Sequence, residues 1–127
     1  MKKIIIAISG ASGVIYGIRL LEELNKAGAE THLIVSSAAK ETIKMETTCS
    51  LEELERKAHH YYSNENIAAS PASGSFLHDG MVIVPCSMKT LSAIAHGYAD
   101  NLINRAADVT IKEKRRLILI ARETPLS

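Results

Sequence analysis

The sequence predicts an open, all-parallel α/β sheet with helices on both faces, a three-layer, Rossmann-like architecture. Two observations predict it. Short, unbroken, β-branched apolar runs alternate with stretches of helical period, and each strand gives way to its helix through a Gly- or Ser-rich turn. Strands apolar at every position need cover on both faces, which parallel sheets supply and half-solvated antiparallel sheets do not.

Residues 4–8 (Ile-Ile-Ile-Ala-Ile) form the first such run and end at Ser9-Gly10-Ala11-Ser12-Gly13. From Val14 the period becomes helical: Val14, Ile18, Leu21 and Leu24 share one face, Arg19, Glu22, Glu23 and Lys26 lie mostly opposite, and Gly28 closes the helix. Residues 31–35 supply a second strand, and residues 36–47 a second helix opened by the N-cap candidates Ser36 and Ser37. Residues 50–80 read as an excursion. Within it, 51–62 reads as a surface helix, acidic then basic, and 63–79 is rich in Ser, Ala, Asn and Gly. Residues 81–84 are a third buried strand ending in Pro85-Cys86-Ser87. Helices are expected over 88–96 and 101–114, and a fourth strand over 117–121 runs into Arg122-Glu123. In a sheet of this kind ligands bind where strand C-termini meet helix N-termini. Thr124-Pro125 has the form of an N-cap followed by Pro at the first helical position, so the 127 residues read as one domain that is C-terminally incomplete.

Composition narrows the function. Lys plus Arg (15) nearly balance Asp plus Glu (14), a net charge of +1, which provides no field for nucleic acid or an anionic membrane. No apolar run approaches the roughly 20 residues of a membrane span, and no targeting signal precedes the first strand. Cys49 and Cys86 stand far apart, outside any disulfide or zinc spacing, so a cytoplasmic protein without a bound metal is expected. His59-His60 fall on the expected surface helix and read as solvated side chains.

The first turn is neither G-x-G-x-x-G, since Ser12 stands at the second glycine, nor Walker A, nor the nucleophile elbow G-x-S-x-G, since Val14 replaces its last glycine. Dinucleotide, nucleoside-triphosphate and triad-hydrolase chemistry are thereby demoted. What remains is a Gly-permitted turn with a hydroxyl and amides at a helix N-terminus, suited to an anion or the polar edge of a ring. Ser87-Met88-Lys89-Thr90 repeats that address with two hydroxyls and a cation, the composition of a phosphate cradle. Cys86 reads as a buried inert thiol, because the Cys-x5-Arg spacing of a phosphatase fails at Ser92. Arg105 and Lys112, seven apart, share a helix face. Arg122-Glu123 follow a buried strand directly and stand at the sheet's C-terminal edge. Glu46, an acid at a helix C-terminus, opposes the macrodipole and so asks for another explanation.

Six blocks in register resemble the UbiX flavin prenyltransferases over the whole chain: Gly10-Ala11-Ser12-Gly13, Glu46-Thr47, Pro71-Ala72-Ser73-Gly74-Ser75, Pro85-Cys86-Ser87, Asn101-Leu102-Ile103 with Arg105-Ala106-Ala107-Asp108-Val109, and Arg122-Glu123-Thr124-Pro125. The resemblance implies a flavoprotein fold and an enzyme that joins the dimethylallyl group of dimethylallyl monophosphate to N5 and C6 of FMN. Its product would be the prenylated cofactor of UbiD-type decarboxylases. It further implies FMN contacts from Gly10, Ala11, Ser12, Ser36, Ser87, Met88, Lys89, Thr90 and Arg122, and catalytic roles for Ser12, Glu46 and Glu123. Arg105, Lys112 and Arg122 are implied near the prenyl phosphate, without a metal, in a homo-oligomer of dodecameric type. In the family a Tyr and an Arg that contact this phosphate come from chain beyond the part matched here.

Two rivals are weighed. A flavin-dependent cysteine decarboxylase of the same superfold typically carries Pro-Ala-Ser-Ala-Asn-Thr and a His after the first helix. This chain has Pro71-Ala72-Ser73-Gly74-Ser75 and no His on that helix. A non-catalytic FMN-binding subunit of a hydroxyarylic acid decarboxylase differs only in chemistry, and only an assay of prenyl transfer separates it.

Overall fold

The computed structural model describes residues 1–122; Glu123 and the expected helix start at Thr124-Pro125 lie outside the described residues. Five strands form one parallel sheet: β1 (Lys3–Ile8), β2 (Glu30–Val35), β3 (His60–Ser63), β4 (Gly80–Cys86) and β5 (Leu117–Ala121), in the order β3-β2-β1-β4-β5. In the central strand β1, Ile5, Ile6, Ala7 and Ile8 are fully buried between two helical layers.

Alternation along the strands assigns each side chain to one layer. Ile6, Ile8, Leu33, Val35, Val82 and Val84 face helices α1 (Val14–Lys26), α2 (Ser37–Glu46) and α3 (Leu51–Lys57) through Val14, Ile18, Leu21, Ile43 and Leu54. Ile5, Ala7, Ile34, Met81 and Ile83 face α5 (Leu102–Lys112), with Leu91 and Ile94 of α4 (Met88–Ala95) packed alongside. Gly17 lets α1 settle this deeply: a Cβ there would collide with the Val84 carbonyl and meet Ile8 Cγ1 at 3.0 Å. No helix among the described residues is long and apolar enough to cross a membrane.

The expected sheet had four strands and the observed one has five. The helix expected over 51–62 stops at Lys57, and residues 60–63 become the edge strand β3. Leu54 is the one buried residue of α3, so nothing apolar draws a longer helix onto the sheet. His60-Tyr61-Tyr62 instead pairs with β2 in the register His32↔His60 and Ile34↔Tyr62, as aromatic residues favour. His59 and His60 are therefore not on a surface helix. Pro85, expected to end the third strand, lies within it, and the β4–β5 ladder lapses between Ile83 and Cys86, where Pro has no N–H to give.

A polar string runs through the core at the N-terminal end of the sheet. Buried His32 donates from Nε2 to Glu30 Oε2 at 2.7 Å, which leaves Nδ1 to accept from the Tyr62 hydroxyl at 2.9 Å. His78, also buried, accepts the Gly80 N–H at Nδ1 (3.1 Å). Burial pushes both imidazoles below their ordinary pKa, and the hydrogen bond from His32 pulls the Glu30 carboxyl down. For such a base the unfolded chain takes up the proton first, so the stability is complete above about pH 6.5 and drains away below it. Denaturant midpoints should accordingly fall as pH drops from about 7.5 to 5.5, with a shallower fall in His32→Gln. An identical slope in that variant would exclude His32 as a source.

Candidate functional site

The site is assembled by the chain's exits from the sheet. Ser9, 1% exposed, donates its hydroxyl proton to the Pro85 carbonyl at 2.8 Å and accepts the Ser87 N–H at 2.8 Å. Its own N–H also meets Pro85 O, at 3.2 Å. One hydroxyl thus fixes the turn after β1 against the turn after β4. Beside it Gly10 approaches α2 so closely that a Cβ would collide with Ala38 Cβ.

Three helices begin here, each capped by its own side chain. Ser36 Oγ accepts from Ala39 N (3.0 Å), Ser87 Oγ from Thr90 N (3.2 Å) and Asn101 Oδ1 from Asn104 N (2.9 Å). In α2 and α4 the cap satisfies one amide and leaves others in the first turn open, Met88 and Lys89 N–H among them, whereas in α5 Asn64 takes the Leu102 and Ile103 N–H groups as well. These helix starts border a crevice of about 840 Å³ along the C-terminal edge of the sheet. Its cations, Lys89 and Arg122, belong to the β4–β5 side. Asn64, Glu65, Asp100, Asn101 and Asn104 line the far side, where β3 ends and α5 begins.

Turn one differs in detail from the expected cradle. The Ala11 N–H folds back to Ser9 O (2.9 Å) and the Ala11 side chain is buried, while the Gly13 N–H donates to Glu46 Oε1 at 3.0 Å. Two of its amides are therefore spent inside the protein. Gly13 has φ 97°, and a Cβ on it would lie 3.1 Å from the Tyr16 ring and 3.9 Å from Arg122 Cζ. Glu46 and Arg122 thus reach the same glycine from α2 and from the end of β5. This answers the misplaced acid: Glu46 loses a little against its own helix dipole and gains a hydrogen bond that closes turn one.

Of the residues singled out from sequence, Gly10, Ser36, Ser87, Met88, Lys89, Thr90 and Arg122 line the crevice together. Ala11 and Ser12 belong to turn one beside it, and Glu46, at the end of α2, bonds to that turn. Arg105 and Lys112 project outward from α5, Lys112 bonded to Asp108 at 2.8 Å, and neither lines the crevice. Glu123 is outside the described residues. Sequence reasoning missed Asn64, whose carbonyl and Oδ1 accept the Leu102 and Ile103 N–H groups at 2.9 and 2.8 Å, and Asn104. Cys86 is fully buried and burial pushes its thiol up to about 11, which leaves no thiolate for nucleophilic work near neutral pH. Glu30, His32 and His60 bring three ligand atoms within 4.8 Å at the opposite end of the sheet, but the imidazoles stack at 4.6 Å with planes 13° apart, so their in-plane lone pairs do not converge.

The flavoprotein family model matches residues 1–127. The chain is 56% identical over 124 residues to flavin prenyltransferase UbiX of Archaeoglobus fulgidus, covering 98% of this chain and 68% of that protein. It belongs to the UbiX flavin prenyltransferase family. Flavin prenyltransferase LpdB of Lactiplantibacillus plantarum is 54% identical, with 100% of this chain and 68% of that one covered. Among solved structures, UbiX (PadA1) in complex with FMN and dimethylallyl pyrophosphate superimposes with a TM-score of 0.95 at 48% identity over 99% of this chain and 67% of that one. A dodecameric FMN-dependent UbiX-like decarboxylase from Escherichia coli O157:H7 gives 0.94 at 47%, covering 98% and 69%. The chain thus spans about two thirds of the length of these family members. The cypemycin decarboxylase, at 13% identity, shares the fold alone.

The Ser9 hydroxyl is the testable keystone. Ser9→Ala removes both hydroxyl bonds, leaving the buried Ser87 N–H without its partner and the Pro85 carbonyl with the Ser9 N–H alone, which costs about 1–3 kcal/mol. Urea unfolding should show this loss, and Ser9→Cys should not restore it. A midpoint unchanged by Ser9→Ala would mean the two turns are held otherwise.

Proposed function

We propose that this chain is the FMN-binding α/β domain of a flavin prenyltransferase, taking FMN and dimethylallyl monophosphate and passing its product to a UbiD-type decarboxylase. The observation that carries the reading is the crevice itself, in a chain of this family: the capped N-termini of α2 and α4 with open amides, two cations at one side, and asparagines with the acids Glu65 and Asp100 at the other. An FMN phosphate fits the β4 side, where Ser87 and Thr90 hydroxyls, the open Met88 and Lys89 amides, the Lys89 ammonium and the Arg122 guanidinium are gathered. Ser36 and Gly10, on the β2 and β1 exits, then border the ring. A cytoplasmic setting belongs to this reading, supported by the two free thiols Cys49 and Cys86.

Reduced FMN, when bound, supplies the nucleophilic N5 and C6 positions. The protein's part is to orient, to neutralise and to move protons. Arg122 beside Gly13 supplies fixed positive charge near turn one, where a departing phosphate gains negative charge as the allylic C–O bond breaks. The Ser12 hydroxyl and the Glu46 carboxylate are assigned to hold or relay a proton, a reading supported for Glu46 by its hydrogen bond from the Gly13 N–H. Glu123, one residue past Arg122, is assigned the same kind of role. Arg105 and Lys112 face outward, so their part at the prenyl phosphate is proposed for a site shared with a neighbouring copy, in line with the dodecameric relative.

Mass spectrometry of FMN after incubation, reduced, with dimethylallyl monophosphate decides the reaction: one added dimethylallyl unit is expected, and unmodified flavin on a protein that binds it indicates the non-catalytic subunit. Ser12→Ala and Glu46→Gln should retain FMN while single-turnover transfer slows by about 10²-fold or more. Unchanged rates in both would move the chemistry elsewhere. FMN should bind more tightly than riboflavin, and equal affinity would sink the phosphate assignment at Ser87 to Thr90.

A further inference from the structure

Asn104 stands apart from the rest of the crevice. It is 5% exposed, lines the cavity, and its side-chain oxygen is buried without a hydrogen-bond partner. An orphaned buried amide oxygen is costly, and proteins keep one where something else completes it. The backbone around it is firmly set: Asn101 Oδ1 holds the Asn104 N–H at 2.9 Å, and Asn64 holds the two preceding amides of α5. The side chain thus carries an unpaired amide oxygen on a rigid helix start that borders the crevice.

Its location limits what completes it. Asn104 lies where α5 meets the end of β3, and β3 is the sheet edge opposite β5, which delivers Arg122. Glu65 and Asp100 line the same side, so an anion is disfavoured there, and a phosphate has no proton to offer the amide oxygen. With the FMN phosphate on the β4 side, the ribityl chain adjoins it and the far side receives the ring. A polar wall of asparagines and acids fits the pyrimidine edge of that ring rather than its dimethylbenzene edge. A carboxamide carries an acceptor and a donor side by side in one plane, the complement of the imide N3–H and its neighbouring C4 carbonyl.

We infer that Asn104 reads the imide edge of the bound flavin, pairing its amide with N3–H and C4=O. This rests on the flavin reading of the crevice. Asn104 is a positioning residue here, setting where the ring lies without touching the reacting atoms.

The test is a cycle between residue and ligand. FMN and N3-methyl-FMN are titrated by flavin fluorescence against the wild type, Asn104→Leu and Asn104→Ala, with melting temperatures recorded alongside. The wild type should bind FMN about tenfold more tightly than the methylated analogue, since methylation leaves a buried polar group unpaired. In both variants FMN affinity should drop to the analogue's level and the discrimination should vanish, while the variants still melt cooperatively. Discrimination that survives in either folded variant, or equal wild-type affinity for the two flavins, overturns the role of Asn104 while leaving the crevice a flavin site. Failure of the wild type to bind either flavin overturns the flavin reading and this inference with it.

Discussion

The geometry of the crevice depends on the Ser9 hydroxyl. β1 and β4 are neighbours in the sheet, but their ladder stops before their exits, and beyond it the two chains would diverge into their turns. Ser9 donates to Pro85 O and accepts from Ser87 N, so the exit of β1 and the cap of α4 become one unit. Gly17 contributes to the same end by letting α1 lie against Val84, directly behind that junction. Small residues at two places therefore set the spacing between turn one and Ser87, and every polar group of the crevice is positioned relative to that spacing.

On that frame the charges are divided. The α2, α4 and α5 N-termini supply positive potential without a side chain, and Lys89 and Arg122 add to it at one end only. Glu46 sits across Gly13 from Arg122, so turn one carries an acid and a base on either side of a glycine that has no side chain to separate them. A site with this polarity orients an elongated ligand end to end.

Much of this was legible in the sequence. The apolar runs gave four of the five strands, Ser36 was readable as a cap, and the clash between Glu46 and its helix dipole marked it as a residue with another task. The fifth strand was hidden because His60-Tyr61-Tyr62 follows an acidic-then-basic run that has helical form, and only the vacant edge of β2 decides for a strand. Asn64 and Asn104 were hidden for a different reason. An Asn in a loop or at a helix start reads as a cap, and whether its amide is satisfied depends on contacts across tens of residues. Turn one misled in the same way: its amides were readable as free, and only the tertiary structure shows two of them occupied.

The strand order has a consequence for how the protein acquires its site. Ser9 and Ser87 are 78 residues apart in sequence, and Arg122 joins from still further on. The first βαβ unit with the α2 that follows it, formed by local pairing of β1 with β2, carries Gly10, Ser12, Ser36 and Glu46 but no cradle. The crevice comes into existence only when β4 enters between β1 and β5, a pairing that closes a long loop and is slow on topological grounds. A ligand of this crevice consequently recognises the completed sheet and nothing shorter, so its binding energy is added to the global fold and not to any early subunit of it.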